Sequence, residues 1–153
     1  MFARHRETIL AALAFTFLIL VFNGCAILTQ EQKQHMSPVD TVRLFDRTYG
    51  SASMNRSADI ITKKMRDGLP KCVWVYDRWK TMNEIEYKRL KSEILQVKKK
   101  DDKAVVCMNS TISAGGSEAN QKEIYTLVNR NGTWLIDNLK VTDEKLDSRE
   151  MTL

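Results

Sequence analysis

The chain offers little to acid–base chemistry at neutral pH. Its two histidines, His5 and His35, both stand before residue 37, so the sequence from there to the end contains none. That removes the side chain whose ordinary pKa lies nearest physiological pH, and with it the Ser–His and Cys–His nucleophile pairs and the commonest metal ligand. The carboxylates Asp77, Glu123 and Asp137 are the remaining candidates for proton transfer. No catalytic constellation surrounds them, and the chain is expected to be non-enzymatic.

Sulfur and aromatic side chains are the other reactive or recognising groups. Cys72 and Cys107 lie 35 residues apart. Two readings of them are open. In an oxidising compartment they could close a disulfide between a helical layer and a sheet, contributing ~3–4 kcal/mol in the chain-entropy picture. Otherwise they are two buried thiols. Neither spacing matches a zinc site or a Cys-x-x-Cys redox pair, so no metal or cofactor is expected. Tyr76, Trp79 and Tyr125 are candidate cavity-lining residues that could touch an apolar ligand. Trp134, behind the turn Asn131-Gly132-Thr133, reads as core.

The N-terminus decides where this chemistry takes place. Arg4 and Arg6 precede an apolar run over residues 9–22, and Asn23-Gly24-Cys25 follows. A basic start, a short apolar core and a small residue before a cut describe a secretory signal peptide over residues 1–24. The run is too short to cross a ~30 Å hydrocarbon layer comfortably, which takes about 20 residues. Phe22-Asn23-Gly24-Cys25 resembles the lipobox of bacterial lipoproteins. Gly24 and Cys25 match it, whereas Phe22 stands where Leu is usual and Asn23 where a small residue is usual. The resemblance implies lipid attachment at Cys25, cleavage before it, and a membrane-anchored protein facing the periplasm. Ala26, in place of Asp, implies the outer membrane in a Gram-negative cell. The same residues also fit an uncleaved signal anchor, which would suit a scaffold subunit of an envelope secretion or conjugation machine. Residues 25–36, Gln-rich beyond Leu28, read as a tether.

Without residues 1–24 the chain carries 22 basic and 18 acidic side chains, a net +4. So mild an excess fits a solvated surface, with attraction to anionic lipid or an acidic partner as the functional alternative. Nucleic acid is not an expected partner, since no basic-aromatic motif accompanies the charge.

Residues 37–142 have the pattern of one α+β domain. Ser37-Pro38-Val39-Asp40 is a helix start, followed by Val42, Phe45 and Tyr49 at helical spacing and a stop at Gly50. A second helix is expected over residues 55–66; residues 71–82 combine Leu69, Cys72, Tyr76 and Trp79 at helical spacing with strand composition at Cys72-Val73-Trp74-Val75-Tyr76, and a third helix is the favoured of the two readings. Strands are expected over 87–98, 103–113, 123–129 and 133–139, with a longer turn around Gly115-Gly116-Ser117 and an Asn-Gly hairpin turn at Asn131-Gly132. Helices on one face of a curved four-stranded antiparallel sheet follow. Residues 143–153 read as a charged tail.

Ser37-Pro38 with Phe45, Asp102-Lys103-Ala104-Val105-Val106, Tyr125-Thr126-Leu127-Val128 and Asn131-Gly132-Thr133-Trp134-Leu135-Ile136-Asp137 resemble the nuclear transport factor two-like superfamily, in particular its small bacterial lipoprotein branch. The resemblance implies a cystatin-like cone, often dimeric through its sheet. It transfers no activity, because the superfamily hosts enzymes and non-enzymes alike. The expected function is therefore an envelope lipoprotein that binds a partner protein or a small apolar ligand.

Overall fold

The computed structural model describes residues 36–142. The expected signal peptide, Cys25, most of the tether and the tail lie outside them. Among the described residues no helix is long and apolar enough to cross a membrane.

Helix α1, Pro38–Thr48, begins as its sequence dictates. The Ser37 hydroxyl accepts from the Asp40 backbone N–H at 3.1 Å, the Asp40 carboxylate accepts from the Ser37 N–H, and Pro38 occupies the first turn. This closes a capping box. Val42 and Phe45 turn into the core. Helix α2, Met54–Asp59, is tied to α1 by a buried hydrogen bond between the Thr48 and Ser57 hydroxyls at 2.7 Å.

The second helix ends at Asp59 rather than at residue 66. The backbone there is claimed by the sheet: Ile61 bridges Ile136 in parallel, with Thr62 N–H donating to Ile136 O and Ile136 N–H to Ile60 O, each at 2.9 Å. Continuing the helix would forfeit both bonds and withdraw Ile60 and Ile61 from the core. Arg66 closes this segment, donating through Nη1 to Ala58 O and Ile61 O at 3.1 Å. Helix α3, Lys71–Glu84, packs against α2.

The sheet is an open antiparallel meander, β1 (Lys88–Lys100), β2 (Lys103–Ala114), β3 (Ser117–Arg130) and β4 (Thr133–Thr142), in spatial order of sequence. β3 starts six residues earlier than expected. The turn before it is tight, with Ala114 paired to Ser117 and only Gly115 and Gly116 between, both at positive φ. The Asn131-Gly132 turn has φ of 52° and 83°, the geometry that matches strand twist.

Alternation sorts the sheet into two faces. Ala104, Val106, Met108, Tyr125, Leu127, Trp134 and Ile136 meet Val42, Phe45, Met54, Ala58 and Trp74 from the helices in one core. Trp134 is core, as its position behind the turn predicts. Val105, Cys107 and Ile124 form a smaller buried cluster on the other face.

Gly50 holds the turn between α1 and α2 at φ +74°, and a Cβ there would stand 2.7 Å from Tyr87 Cδ1. Gly116 has a similar φ, +78°, but open space around it. Gly50→Ala is therefore expected to destabilise by about 2–3 kcal/mol and Gly116→Ala by about 1 kcal/mol, the difference being the ring that must move. Urea-unfolding midpoints of the two variants measure it; equal losses would show that Tyr87 yields freely.

Candidate functional site

Glu123 sits in β3 at the alternation that also turns Tyr125 and Leu127 inward, so its carboxylate enters the core side of the sheet. It is 1% exposed. Four side chains meet it. Arg89 Nη1 lies 3.0 Å from both carboxylate oxygens, Ser110 Oγ donates at 3.0 Å, Gln121 Nε2 at 2.6 Å and Tyr125 Oη at 2.5 Å. A carboxylate with two oxygens has about four acceptor positions, and these donors take them.

Arg89 reaches this place because of a bulge. β1 shifts register between Arg89, opposite Ile112, and Lys91, opposite Thr111. Leu90 is the extra residue, and it lets Arg89 and Ser92, three apart, face the same side. Both then meet Asp46 of α1: Arg89 Nε at 2.9 Å and Ser92 Oγ donating at 2.9 Å. The Nε contact is close enough for an ion pair, yet its angle makes no hydrogen bond. The chain Asp46–Arg89–Glu123 thus runs from helix to edge strand to inner strand.

The titrations follow from this geometry. Burial pushes the Glu123 carboxyl up, but the hydrogen bond and charge of Arg89, with donation from Tyr125 and Gln121, outweigh it and hold Glu123 below the ordinary value of 4.5. Burial also acts on Asp46, and there it wins over Arg89 and Ser92, leaving Asp46 raised. Burial and the adjacent Glu123 charge push the Tyr125 phenol well above its usual value. Glu123 is therefore an ionised, saturated acceptor. It has no lone pair left for a substrate proton and no raised pKa that would make it a general acid. Asp137, the other inward candidate, is the bulged residue of β4 and is paired with Lys64 at 2.8 Å; that hydrogen bond holds it below its ordinary value. Asp77 is exposed on α3.

The aromatic trio does not share a cavity. Tyr125 is fully buried, edge-on to Phe45 at 6.0 Å between centroids. Tyr76 and Trp79 lie on the outer face of α3, 66% and 46% exposed. With Cys72, Val75 and Ala58 they line a groove of about 590 Å³, bordered by Asn55 and the Lys71–Asp59 ion pair. Alternation in β3 sends Tyr125 inward, whereas the helix turns Tyr76 away from the sheet.

Cys72 and Cys107 form no disulfide. Cys72 is exposed on α3, and Cys107 is buried with Val105 and Ile124 on the sheet face turned away from the helices. Of the two open readings, the bridge between helical layer and sheet would need Cys107 on the opposite alternation of β2, and burial as a thiol holds for Cys107 but not for Cys72. Among the described residues no three His, Cys, Asp or Glu side chains converge to hold a metal. Arg89 and Asp46 were not legible as site residues, since the bulge that brings them together leaves no mark in the run Lys88-Arg89-Leu90-Lys91.

The chain matches no protein-family model and no curated protein sequence. Among solved structures, it is similar in fold to a SEC-C motif containing protein from Rhodopseudomonas palustris, with 18% identity, a TM-score of 0.59, and 78% of this chain and 89% of that one covered. It is also similar to Bd1075 of Bdellovibrio bacteriovorus, with 9% identity and a TM-score of 0.50, covering 69% of this chain and 39% of that protein. At such identities the likeness is one of fold alone.

Glu123→Gln takes from Arg89 its more deeply buried charge partner, leaving Asp46 as the other, and is expected to cost about 3 kcal/mol. The pH dependence has a definite sign. With its folded pKa depressed, Glu123 contributes stability above its unfolded value, and this is lost as pH falls through the folded value. Asp46, raised, does the reverse and recovers stability as pH falls through its folded value. Urea unfolding from neutral to acid pH should show a late acid loss in the native protein that Glu123→Gln lacks. Parallel acid limbs in the two proteins would refute the ion-pair account.

Proposed function

We propose that residues 37–142 are a non-enzymatic, cystatin-like binding module of the bacterial envelope, carried by a lipid on Cys25, that docks a partner protein through the outer face of α3. One observation carries the docking reading. α3 has fourteen residues and buries only Trp74, while Val73, Tyr76 and Trp79 are 41%, 66% and 46% exposed. Helices of this length are marginal alone and draw stability from packing one face. Large aromatic side chains left in water beside a groove are the usual anchors of an interface.

Two further points favour a partner protein over an enclosed apolar ligand. The space between α1 and the sheet is taken by Phe45, Met108, Tyr125 and Leu127, all fully buried. The apolar surface on offer lies outside, on α3. The absence of histidine from residue 37 onward and the saturation of Glu123 support a non-enzymatic role. The envelope location rests on the pattern of residues 1–25.

The aromatic anchors can be tested in cells. A photo-crosslinking residue at position 76 should give one discrete adduct that Trp79→Ala abolishes, and the same probe at Glu118 should give none. Tyr76→Ala with Trp79→Ala should shift the unfolding midpoint by less than about 1 kcal/mol, because neither side chain is buried. An adduct with a second copy of the chain would replace the partner protein by self-association, and equal adducts at both positions would sink the docking reading. The anchor has its own measurement, the intact mass of the membrane-extracted protein. A chain beginning at Cys25 with added acyl mass is expected; a full-length unacylated mass would overturn the lipoprotein reading in favour of an uncleaved signal anchor.

A further inference from the structure

A second cavity lies where the end of α1 meets the start of β1, and its lining is unlike that of the α3 groove. It measures about 490 Å³, within the range of small-ligand sites. Arg47, Lys88, Arg89 and Lys91 line it against a single carboxylate, Asp46, with the hydroxyl-bearing Ser51, Ser92, Tyr49 and Tyr87. Arg89 is already matched by Glu123 and Asp46, so the uncompensated positive charge comes from Arg47, Lys88 and Lys91, in a partly enclosed space where it acts more strongly than on open surface.

The arginine is the distinctive member. Its side chain is 10% exposed, and Glu123 fixes one end of the guanidinium from the core side. Glu123 is in turn fixed by Tyr125, Ser110 and Gln121. At the other end Nε has no hydrogen-bond acceptor, although Asp46 Oδ1 is 2.9 Å away. A buried N–H donor left without an aligned acceptor costs free energy that a better-placed oxygen would recover. A guanidinium held rigid beforehand loses little conformational freedom when it binds an oxyanion.

We infer that this cavity is a phosphate site, in which Arg89 takes a phosphoryl oxygen, Arg47 and Lys88 supply charge at the rim, and Asp46 yields its place beside Nε. Phosphate suits the lining because its oxygens spread over several directions and can meet a guanidinium, an ammonium and a hydroxyl together. The carrier is a soluble phosphate ester or a phospholipid headgroup, which present the same oxygens. This site is separate from the α3 face and stands or falls without it.

The test uses the full chain, nitrogen-labelled, in dodecyl maltoside micelles, which carry no phosphate, titrated with inorganic phosphate and followed by amide chemical shifts. Saturable shifts at Gly50, Ser51 and Arg89 in the millimolar range are expected, with the amides of Lys98, Lys99 and Lys100 unmoved. Arg47→Ala with Lys88→Ala, at exposed positions outside the buried ion chain, should weaken the interaction roughly fivefold. Asp46→Asn should tighten it. A second arm replaces part of the detergent with phosphatidylglycerol and adds no inorganic phosphate. Shifts at the same amides there, lost in the Arg47/Lys88 double variant, identify a headgroup; shifts with inorganic phosphate alone identify a soluble ester. Absence of saturable shifts in both arms, or shifts spread equally over Lys98–Lys100, would overturn the site.

Discussion

The Arg89–Glu123 pair is the constraint on which the arrangement of this domain depends. A buried carboxylate is tolerated only when paired and hydrogen-bonded, and Glu123 meets that condition through residues on three strands. Arg89 then reaches Asp46 and brings α1 into the same network. Apolar packing between α1 and the sheet is non-directional and would tolerate small slides of the helix. The ion chain is directional and narrows that freedom, because a slide of α1 that carried Asp46 off both Arg89 and Ser92 would leave its charge without a partner. Whatever its net contribution to stability, it fixes the register of helix on sheet.

The same network explains why this inward-facing carboxylate stays ionised despite its burial. Catalytic carboxylates are left short of partners so that burial can raise their pKa. Here the donors outnumber the desolvation penalty at Glu123 and the balance tips the other way. Asp46 keeps the raised value, but it stands at the cavity rim with Arg89 and Ser92 already upon it. The division of labour is thus between an inner carboxylate that holds an arginine still and an outer one that meets the cavity.

Much of this architecture was legible in the residues. The capping box at Ser37 and Asp40, the helical spacing of Val42 and Phe45, the Asn131-Gly132 turn and the alternation in β2 each act locally, so the sequence shows them directly. The misreadings share a cause: they depend on pairing between distant segments. The end of α2 is set by Ile136, 75 residues beyond Ile61, and the two-residue turn at Gly115-Gly116 by the pairing of Ala114 with Ser117. The bulge at Leu90 is set by what lies opposite it. Tyr125 was named for its size and type and placed on a concave wall, but the parity of β3 sends it under Phe45 to serve Glu123. A bridge from Cys107 to Cys72 was one of two readings the spacing left open, and parity in β2, which puts Cys107 on the other face, decides against it.

The core side of the sheet is closed by its own aromatic residues and Glu123 is saturated, so among the described residues the open surfaces lie outside the core. Its surface offers two contrasting places to do so. One is the apolar outer side of α3, a helix that fails to bury most of its own large side chains. The other is a basic hollow at the edge of β1, furnished by an arginine that the core holds in position. The first is suited to shape and area, the second to charge, and they rest on different elements: α3 packs on α2, while the hollow is built from α1 and β1. The two places are nevertheless joined: Trp74 of α3 lies 6.2 Å between ring centroids from Tyr49, which lines the hollow, and the end of α3 leads within three residues to Tyr87 on the same wall, so a shift of α3 would be felt there.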